Sequence, residues 1–421
     1  MPYNILILYP AAFEFETTDF RRLKFFIKAF SQFDCRSIIL SPINIQTKQI
    51  SKVLSVPESC QIHLFPSKQR LLPLKLGKKI ESIYRFSKPW HERSWPLFIE
   101  SQYYKYGEKI ISNNEIDLIY SSFPNQCSIV SLVAAKKLAR KYNKPLCFDF
   151  RDIPGEFGSV SPNELNQISL FIKSLLSGVE LVTTVSEQCA SMLYDMSGRS
   201  DIEIVYNGFD EETNSTLTEL PVSADIFRIV FPGHIYQSNH IDILWDALDL
   251  LAQKIGVPDD VTIEFYGQND YSAYHSLPLY LNSGRIGSKF VKEAGFVENT
   301  EMVRIERHSA ALLLFSHPGA LIGIFPSKGF EYMPIRRPIL LIPDDEGYAR
   351  NFLTETGYFE SFKKPEDIAI WIEQYYSEWR SNGHRLRRVD INTDAVSKYS
   401  RQAQSHRMAE LVKDIIIARH A

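Results

Sequence analysis

Short apolar runs alternate with amphipathic helical stretches along the whole 421-residue chain, and this alternation limits the fold more than any other feature. In the first half the runs are Ile5–Leu8, Ser37–Leu40, Ile62–Phe65, Asp117–Tyr120, Leu146–Phe150, Leu181–Val185 and Ile202–Tyr206. One intervening helix has Phe20, Leu23, Ile27 and Phe30 at helical spacing, with Arg21, Arg22, Lys24 and Lys28 between them. Strands apolar on both faces, alternating with helices, predict a parallel α/β sheet. The pattern pauses over 207–224, a stretch rich in Gly, Asn, Asp, Glu, Ser, Thr and Pro that reads as a linker. It restarts with strands at Arg228–Phe231, Thr262–Tyr266, Ala310–Phe315 and Pro338–Ile342, and a helix over Ile241–Leu251.

The expected architecture is therefore two Rossmann-like, doubly wound α/β domains facing a cleft: 1–206, a linker at 207–224, and 225–395. A C-terminal helix follows at 396–421, with Met408, Leu411, Val412, Ile415 and Ile416 on one face. Ligands of such sheets bind at the carboxyl ends of strands. Small or polar residues stand at several of these ends: Ser121-Ser122, Asp149 to Asp152, Gly233-His234, Gly267-Gln268 and Ser316 onward. Each also suits ordinary turn chemistry.

The run Pro326-Ser327-Lys328-Gly329-Phe330-Glu331-Tyr332-Met333 reads as the start of a helix. Lys328 and Glu331, three apart, share one face. A cation beside an N-terminal turn suits a diphosphate, and a carboxylate one turn on suits a sugar diol. The competing reading is an exposed helical salt bridge. A capping box fails on spacing, because Phe330 rather than Glu or Gln lies three residues after Ser327.

Several function classes find no support. The net charge of -3 gives no sign of a nucleic-acid binder. Five scattered cysteines form no metal-ligand spacing, and Cys127 and Cys147 sit in apolar runs as core residues. Tyr9-Pro10-Ala11-Ala12-Phe13 after the first strand is not a dinucleotide fingerprint. Asp259-Asp260 and Asp344-Asp345 read as solvated turn pairs rather than a metal clamp. The N-terminus lacks the pattern of a signal peptide, and no run is long enough for a transmembrane helix, so a cytoplasmic location is expected. Residues 66–106 hold nine Lys or Arg against three Glu, with Tyr84, Phe86, Trp90, Trp95 and Phe98 interleaved. That segment suits an anionic membrane surface as well as it suits a solvated face over core aromatics.

Taken in order, these motifs resemble the GT-B glycosyltransferases of the family 4 type, the glycosyl group-1 transferases. The resemblance rests on Asp149-Phe150-Arg151-Asp152, Leu181 to Glu187, Ile204 to Asp210, Phe231-Pro232-Gly233, Phe265-Tyr266-Gly267, Gly295-Phe296-Val297 and the Pro326–Met333 run. It implies a nucleoside diphosphate sugar bound in the C-terminal domain, an acceptor on the N-terminal one, no metal or other cofactor, and retained anomeric configuration. Glu331 matches the glutamate that holds the donor ribose, and Lys328 the lysine of a Pro-x-Lys-x-Phe-Glu-Tyr signature. Gly233, His234, Gly267 and Ser327 complete the donor candidates; Arg151 and Asp152 are the catalytic ones. Gly323 stands where many members carry a second glutamate, and the Gly233–Asn239 loop has no arginine. The expected function is transfer of a sugar from its nucleoside diphosphate to a hydroxyl of a saccharide or lipid-linked acceptor, in surface polysaccharide or glycan synthesis. This could be at the inner face of a membrane. A GT-B-fold epimerase or phosphorylase, or an inactive binding partner of the same fold, are the alternatives.

Overall fold

The computed structural model describes residues 2–9, 18–43, 60–66, 99–123, 129–154, 161–211, 221–233, 235, 239, 241–267, 276–316, 326–358 and 360–421. His234, Gly323 and residues 67–98 of the basic-aromatic segment lie outside them. The chain divides into two compact units, Met1–Tyr206 with Arg401–Ala421, and Asn207–Ser400.

The first unit is built on β1 (Tyr3–Leu8), β2 (Cys35–Ile43), β3 (Gln61–Pro66), β4 (Leu118–Phe123), β5 (Leu146–Phe150), β6 (Leu181–Thr184) and β7 (Ile202–Ile204). Its helices are α1 (Thr18–Gln32), α2 (Ile99–Asn113), α3 (Ile129–Tyr142), α4 (Pro162–Leu176) and α5 (Glu187–Ser197). The sheet order is β3-β2-β1-β4-β5-β6-β7, and every pairing is parallel. Ile5, Leu6, Ile7 and Leu8 of β1 are all fully buried. An apolar strand with no polar face requires cover on both sides, which puts it mid-sheet. Local sequence sets the helix ends. Ser161 and Glu164 form a reciprocal capping box at the start of α4, and the Ser186 hydroxyl accepts from Cys189 N–H at the start of α5.

In the second unit the strands are β8 (Phe227–Pro232), β9 (Val261–Tyr266), β10 (Val291–Gly295), β11 (Ala311–Phe315) and β12 (Ile339–Ile342). The helices are α6 (Asp242–Ile255), α7 (Ser276–Leu281), α8 (Asn299–Arg307), α9 (Ser327–Tyr332), α10 (Tyr348–Thr356), α11 (Pro365–Ser381) and α12 (Thr393–Ser397). The order is β10-β9-β8-β11-β12, again all parallel. Phe227, Ile229, Phe231, Ile263 and Phe265 face a core completed by Trp245 and Leu248 of α6 and Trp379 of α11. The alternate positions of β8 and β9 are partly polar: Arg228 Nε lies 2.9 Å from the buried Glu264 carboxylate.

Arg337, ahead of β12, is fully buried without a carboxylate partner among the described residues. Its guanidinium donates to Arg307 O at 2.9 and 2.8 Å, Arg387 O at 2.8 Å and Pro221 O. It thereby ties the segment entering the unit to the end of α8. Burial lowers its pKa to about 10, which still leaves it charged at neutral pH.

The last helix, α13 (Arg401–His420), belongs to the first unit and lies against α1. Met408, Ala409, Val412 and Ile416 are fully buried in the core formed by Ile5, Ile7, Leu23, Ile27 and Phe30. Arg407 anchors it by donating to Ile204 O at 3.0 Å and to Glu203 at 2.7 Å. Among the described residues no helix is long and apolar enough to cross a membrane. Neighbouring positions on α13 give a test: Ile416→Ala costs about 2–5 kcal/mol in urea unfolding. Ile417→Ala, whose side chain is 45% exposed, stays within about 0.5 kcal/mol.

Candidate functional site

In the second unit the strand order changes direction between β8 and β11. Open α/β sheets bind ligands outside the carboxyl ends at such a point. Gly233 follows β8, Gly267 follows β9, and Ser316 follows β11. The structure brings the two glycines together with Lys328. A Cβ on Gly267 would lie 2.8 Å from the Gly233 carbonyl oxygen, and Gly267 holds φ +140°, so a side chain there is excluded by both space and backbone. A Cβ on Gly233 would lie 3.7 Å from Lys328 Cε. The glycine N–H groups themselves bond within the sheet, Gly233 to Tyr266 O at 2.7 Å and Gly267 to Gly295 O at 2.9 Å. The close approach thus serves to bring the two strand ends and the lysine into one place.

Lys328 and Glu331 lie on the same face of α9, both half-buried, with Nζ 2.7 Å from Oε2. The opposite face anchors the helix. Phe330 packs on Phe352 and Tyr399, with ring centroids 5.1 and 5.7 Å away. The Tyr332 hydroxyl donates to Leu313 O at 2.9 Å, and Tyr358 donates to Met333 O at 2.9 Å. Ser327 opens the helix, and no side chain caps its start. With six residues, α9 carries only a small dipole, so the positive charge at its start comes mainly from the Lys328 ammonium.

Two further residues of this unit had no assigned role in the sequence reading. Phe296, just past β10 and 67% exposed, offers an aromatic face at the same edge of the sheet. Glu306, on α8, is 4% exposed. Burial pushes its carboxyl up to about 8, with Lys328 pulling down and Glu331 pushing up. The signal was in the sequence: Glu306 follows Met302 by four and Val303 by three, both buried, so helical spacing turns it inward.

In the first unit, Asp149 is 1% exposed and its partner is Arg22 from α1, 5% exposed. Arg22 therefore departs from the solvent-facing position that its charge suggested. Its Nε and second guanidinium nitrogen reach Asp149 at 3.2 and 3.0 Å. Tyr120 and Thr183 donate to the same carboxylate at 3.1 and 2.8 Å, and Arg22 also reaches Tyr206 O and Val205 O. Burial opposes ionisation of Asp149, but Arg22 and the Thr183 hydroxyl more than offset it and hold the pKa below the ordinary 3.8. Arg151 and Asp152 follow at the carboxyl end of β5, half-buried, with their N–H groups on Phe123 O at 3.1 and 3.4 Å. Arg151 adds a further positive charge near Asp149.

The aspartate pairs expected in solvent are largely engaged. Asp345 accepts three backbone N–H bonds at the start of α10, from Gly347, Ala349 and Arg350, and Asp344 pairs with Arg350 at 3.3 Å. Asp260 accepts from the Tyr376 hydroxyl at 2.6 Å. Among the described residues no three His, Cys, Asp or Glu side chains gather as metal ligands. A cavity of about 530 Å³ lies at the amino-terminal end of β8, lined by Asp225, Arg228, Glu301, Arg304 and His308 among others. It contains none of the predicted residues, and its arginines are already paired, Arg228 with Glu264 and Arg304 with Glu301.

Removing the Asp149 partner is the sharpest stability test in this unit. Arg22→Met leaves a buried carboxylate unpaired and costs about 3–5 kcal/mol in urea unfolding at pH 7. Because the folded pKa of Asp149 is depressed, the stability it contributes is present above the ordinary 3.8 and is lost as pH falls through the folded value. An Arg22→Met variant as stable as wild type at neutral pH would rule out this account.

No protein-family model matches the chain, and no curated protein matches it. Solved structures do. A glycosyltransferase from Rickettsia africae ESF-5 has 15% identity over 99% of both chains, with a TM-score of 0.63. Anabaena Alr3699/HepE in complex with UDP has 17% identity over 98% of this chain and 100% of its own, at 0.58. A Listeria monocytogenes structure assigned as a UDP-N-acetylglucosamine 2-epimerase has 10% identity over 98% and 96%, at 0.53. Identities this low speak to architecture, and what they establish is that the chain has the two-domain α/β fold known as GT-B.

Proposed function

We propose that the chain is a glycosyltransferase that moves a sugar from a nucleoside diphosphate to a hydroxyl of a saccharide or lipid-linked acceptor, with the donor held in the second unit. The observation that carries this reading is the half-buried Lys328–Glu331 pair beside Gly233 and Gly267. A half-buried ammonium paired with a carboxylate on its own helix can turn to a diphosphate, leaving Glu331 to accept from ribose hydroxyls. Phe296 provides a face for a base. The solved structures support the same chemistry: the Anabaena protein is seen with UDP and with UDP-glucose.

As the glycosidic bond breaks, negative charge grows on the leaving diphosphate. Lys328 stabilises that charge more in the transition state than in the ground state. Arg151 and Asp152 take the contacts at the reacting centre. Membership of family 4, retention of configuration, independence of metals, and a role in surface polysaccharide assembly at the inner membrane face extend the reading. They come from the motif resemblance and the basic-aromatic segment. The epimerase reading stays alongside because of the Listeria structure.

A thermal-shift screen of nucleotides and nucleotide sugars tests the donor site. A ligand at 100 times its Kd adds about 2.7 kcal/mol. Glu331→Ala weakens the bound nucleotide roughly 10–100-fold, and Lys328→Ala lowers kcat on the order of 10²-fold. If no nucleotide stabilises the wild type, the donor reading is lost. Product analysis separates the two chemistries: conversion of a UDP-sugar to its epimer without an acceptor would favour the epimerase. Arg151→Ala and Asp152→Ala lower kcat while leaving the UDP Kd within about twofold; equal losses in binding would remove them from the reacting centre.

A further inference from the structure

The cavity at the amino-terminal end of β8 lies within the second unit, at the other end of its sheet from Gly233 and Gly267. Arg228, on its wall, precedes Gly233 by five residues, roughly 16 Å of extended chain. The volume of about 530 Å³ falls within the roughly 300–1,000 Å³ of small-molecule sites. Both walls are held in place. On one side Ala224 N–H donates to His384 O at 3.1 Å and Leu386 N–H to Val222 O at 2.8 Å, so the chain ahead of β8 is laced to the segment after α11. The other side is α8, fixed to the sheet by its buried Met302 and Val303 and lining the cavity with Glu301, Arg304 and His308.

This cavity offers hydrogen-bonding capacity that the protein itself does not use. The Asp225 carboxylate has no hydrogen bond or ion pair among the described residues. His308 Nδ1 lies 2.8 Å from Arg304 O. A carbonyl only accepts, so in the neutral ring Nδ1 carries the proton and Nε2 keeps its lone pair, without a partner among the described residues. Arg228 Nε is buried 2.9 Å from the Glu264 carboxylate but out of line for a hydrogen bond, and its guanidinium makes none elsewhere among the described residues. The ion pair with Glu264 therefore balances the charge of Arg228 and leaves its N–H donors unspent.

Charge balance selects the ligand. Arg228, Arg304 and the nearby Lys292 are matched one for one by Glu264, Glu301 and Asp225, so the cavity as a whole favours neither an anion nor a cation. Its donors and acceptors are interleaved with the apolar Ala224, Ile226 and Ile305. That lining fits a molecule that is neutral, rich in hydroxyls and apolar on its C–H faces. A carboxylate accepts from two adjacent hydroxyls, and a guanidinium donates to hydroxyl or ring oxygens. We propose that the cavity is an accessory binding site for a neutral saccharide. It shares no residue with the Lys328–Glu331 pair, so the proposal does not depend on the donor reading. In a glycosyltransferase such a site holds a sugar unit of the glycan away from the bond being formed.

Saturation-transfer NMR and isothermal titration of the full chain with glucose, galactose, N-acetylglucosamine, maltose and cellobiose test the assignment. Each titration is run with and without saturating UDP, which separates the cavity from the donor site. At least one of these sugars binds with UDP present. Asp225→Ala weakens that sugar roughly tenfold, and His308→Ala several-fold. Both side chains are exposed, so both variants fold, and both keep the wild-type affinity for UDP. Inorganic phosphate and glycine are the anionic and zwitterionic controls; tighter binding of either than of every sugar overturns the proposal. So does the absence of sugar binding, or sugar binding that both variants retain. Failure of UDP to bind ends the donor reading alone, because the titrations without UDP still report on Asp225 and His308.

Discussion

The central strands are buried on both faces, and the placement of almost every charged group follows from that constraint. β1 and its neighbours present apolar side chains to helices above and below, so a charge within the sheet must bring its own partner. Asp149 does so through Arg22, Tyr120 and Thr183, and Glu264 through Arg228 and Tyr266. Groups that serve a ligand instead collect at the strand ends, where the backbone leaves the sheet and water can enter. The proposed donor site is such a place. Its glycines make room, its aromatic residues fix the short helix, and its two charged side chains face outward from that helix.

The legibility of the chain follows the same division. Strands such as Ile5–Leu8 and Ala310–Phe315 were readable because uninterrupted apolar runs have few other uses. β10 was not read as a strand, because the Val-Lys-Glu-Ala-Gly of an edge strand with a single buried residue leaves little apolar pattern. Lys328 and Glu331 could be placed on one face because three-residue spacing fixes their relation in any helix. The closeness of Gly233, Gly267 and Lys328 joins two strand ends and a helix from separate parts of the chain, and no local pattern encodes it.

Arg22 and Glu306 show why buried charge is hard to read. Each lies in a helix that also carries exposed charges, Lys28 in α1 and Glu301 and Arg304 in α8, and charge alone assigns it to that side. Position assigns it correctly. Arg22 adjoins Leu23 and is four residues before Phe26, and Glu306 follows Met302 and Val303 at helical spacing. In a helix with a narrow apolar stripe, the register of a charged residue carries more information than its identity. The same test on the Asp344-Asp345 turn fails, because the backbone N–H groups that recruit Asp345 appear only once α10 has formed.

Arg337 gives the second unit a property that a carboxylate-bound arginine would not. Every partner of its guanidinium is a peptide carbonyl, and carbonyls neither gain nor lose protons in the range where proteins operate. The tie between Pro221, Arg307 and Arg387 therefore depends on no proton but that of Arg337 itself, which a pKa of about 10 keeps charged at neutral pH. One end of α8 is thus clamped by a joint whose acceptors do not titrate. Protonation of carboxylates elsewhere in the unit therefore leaves this joint intact, and the segment that enters the unit stays tied to the helix that flanks the sheet.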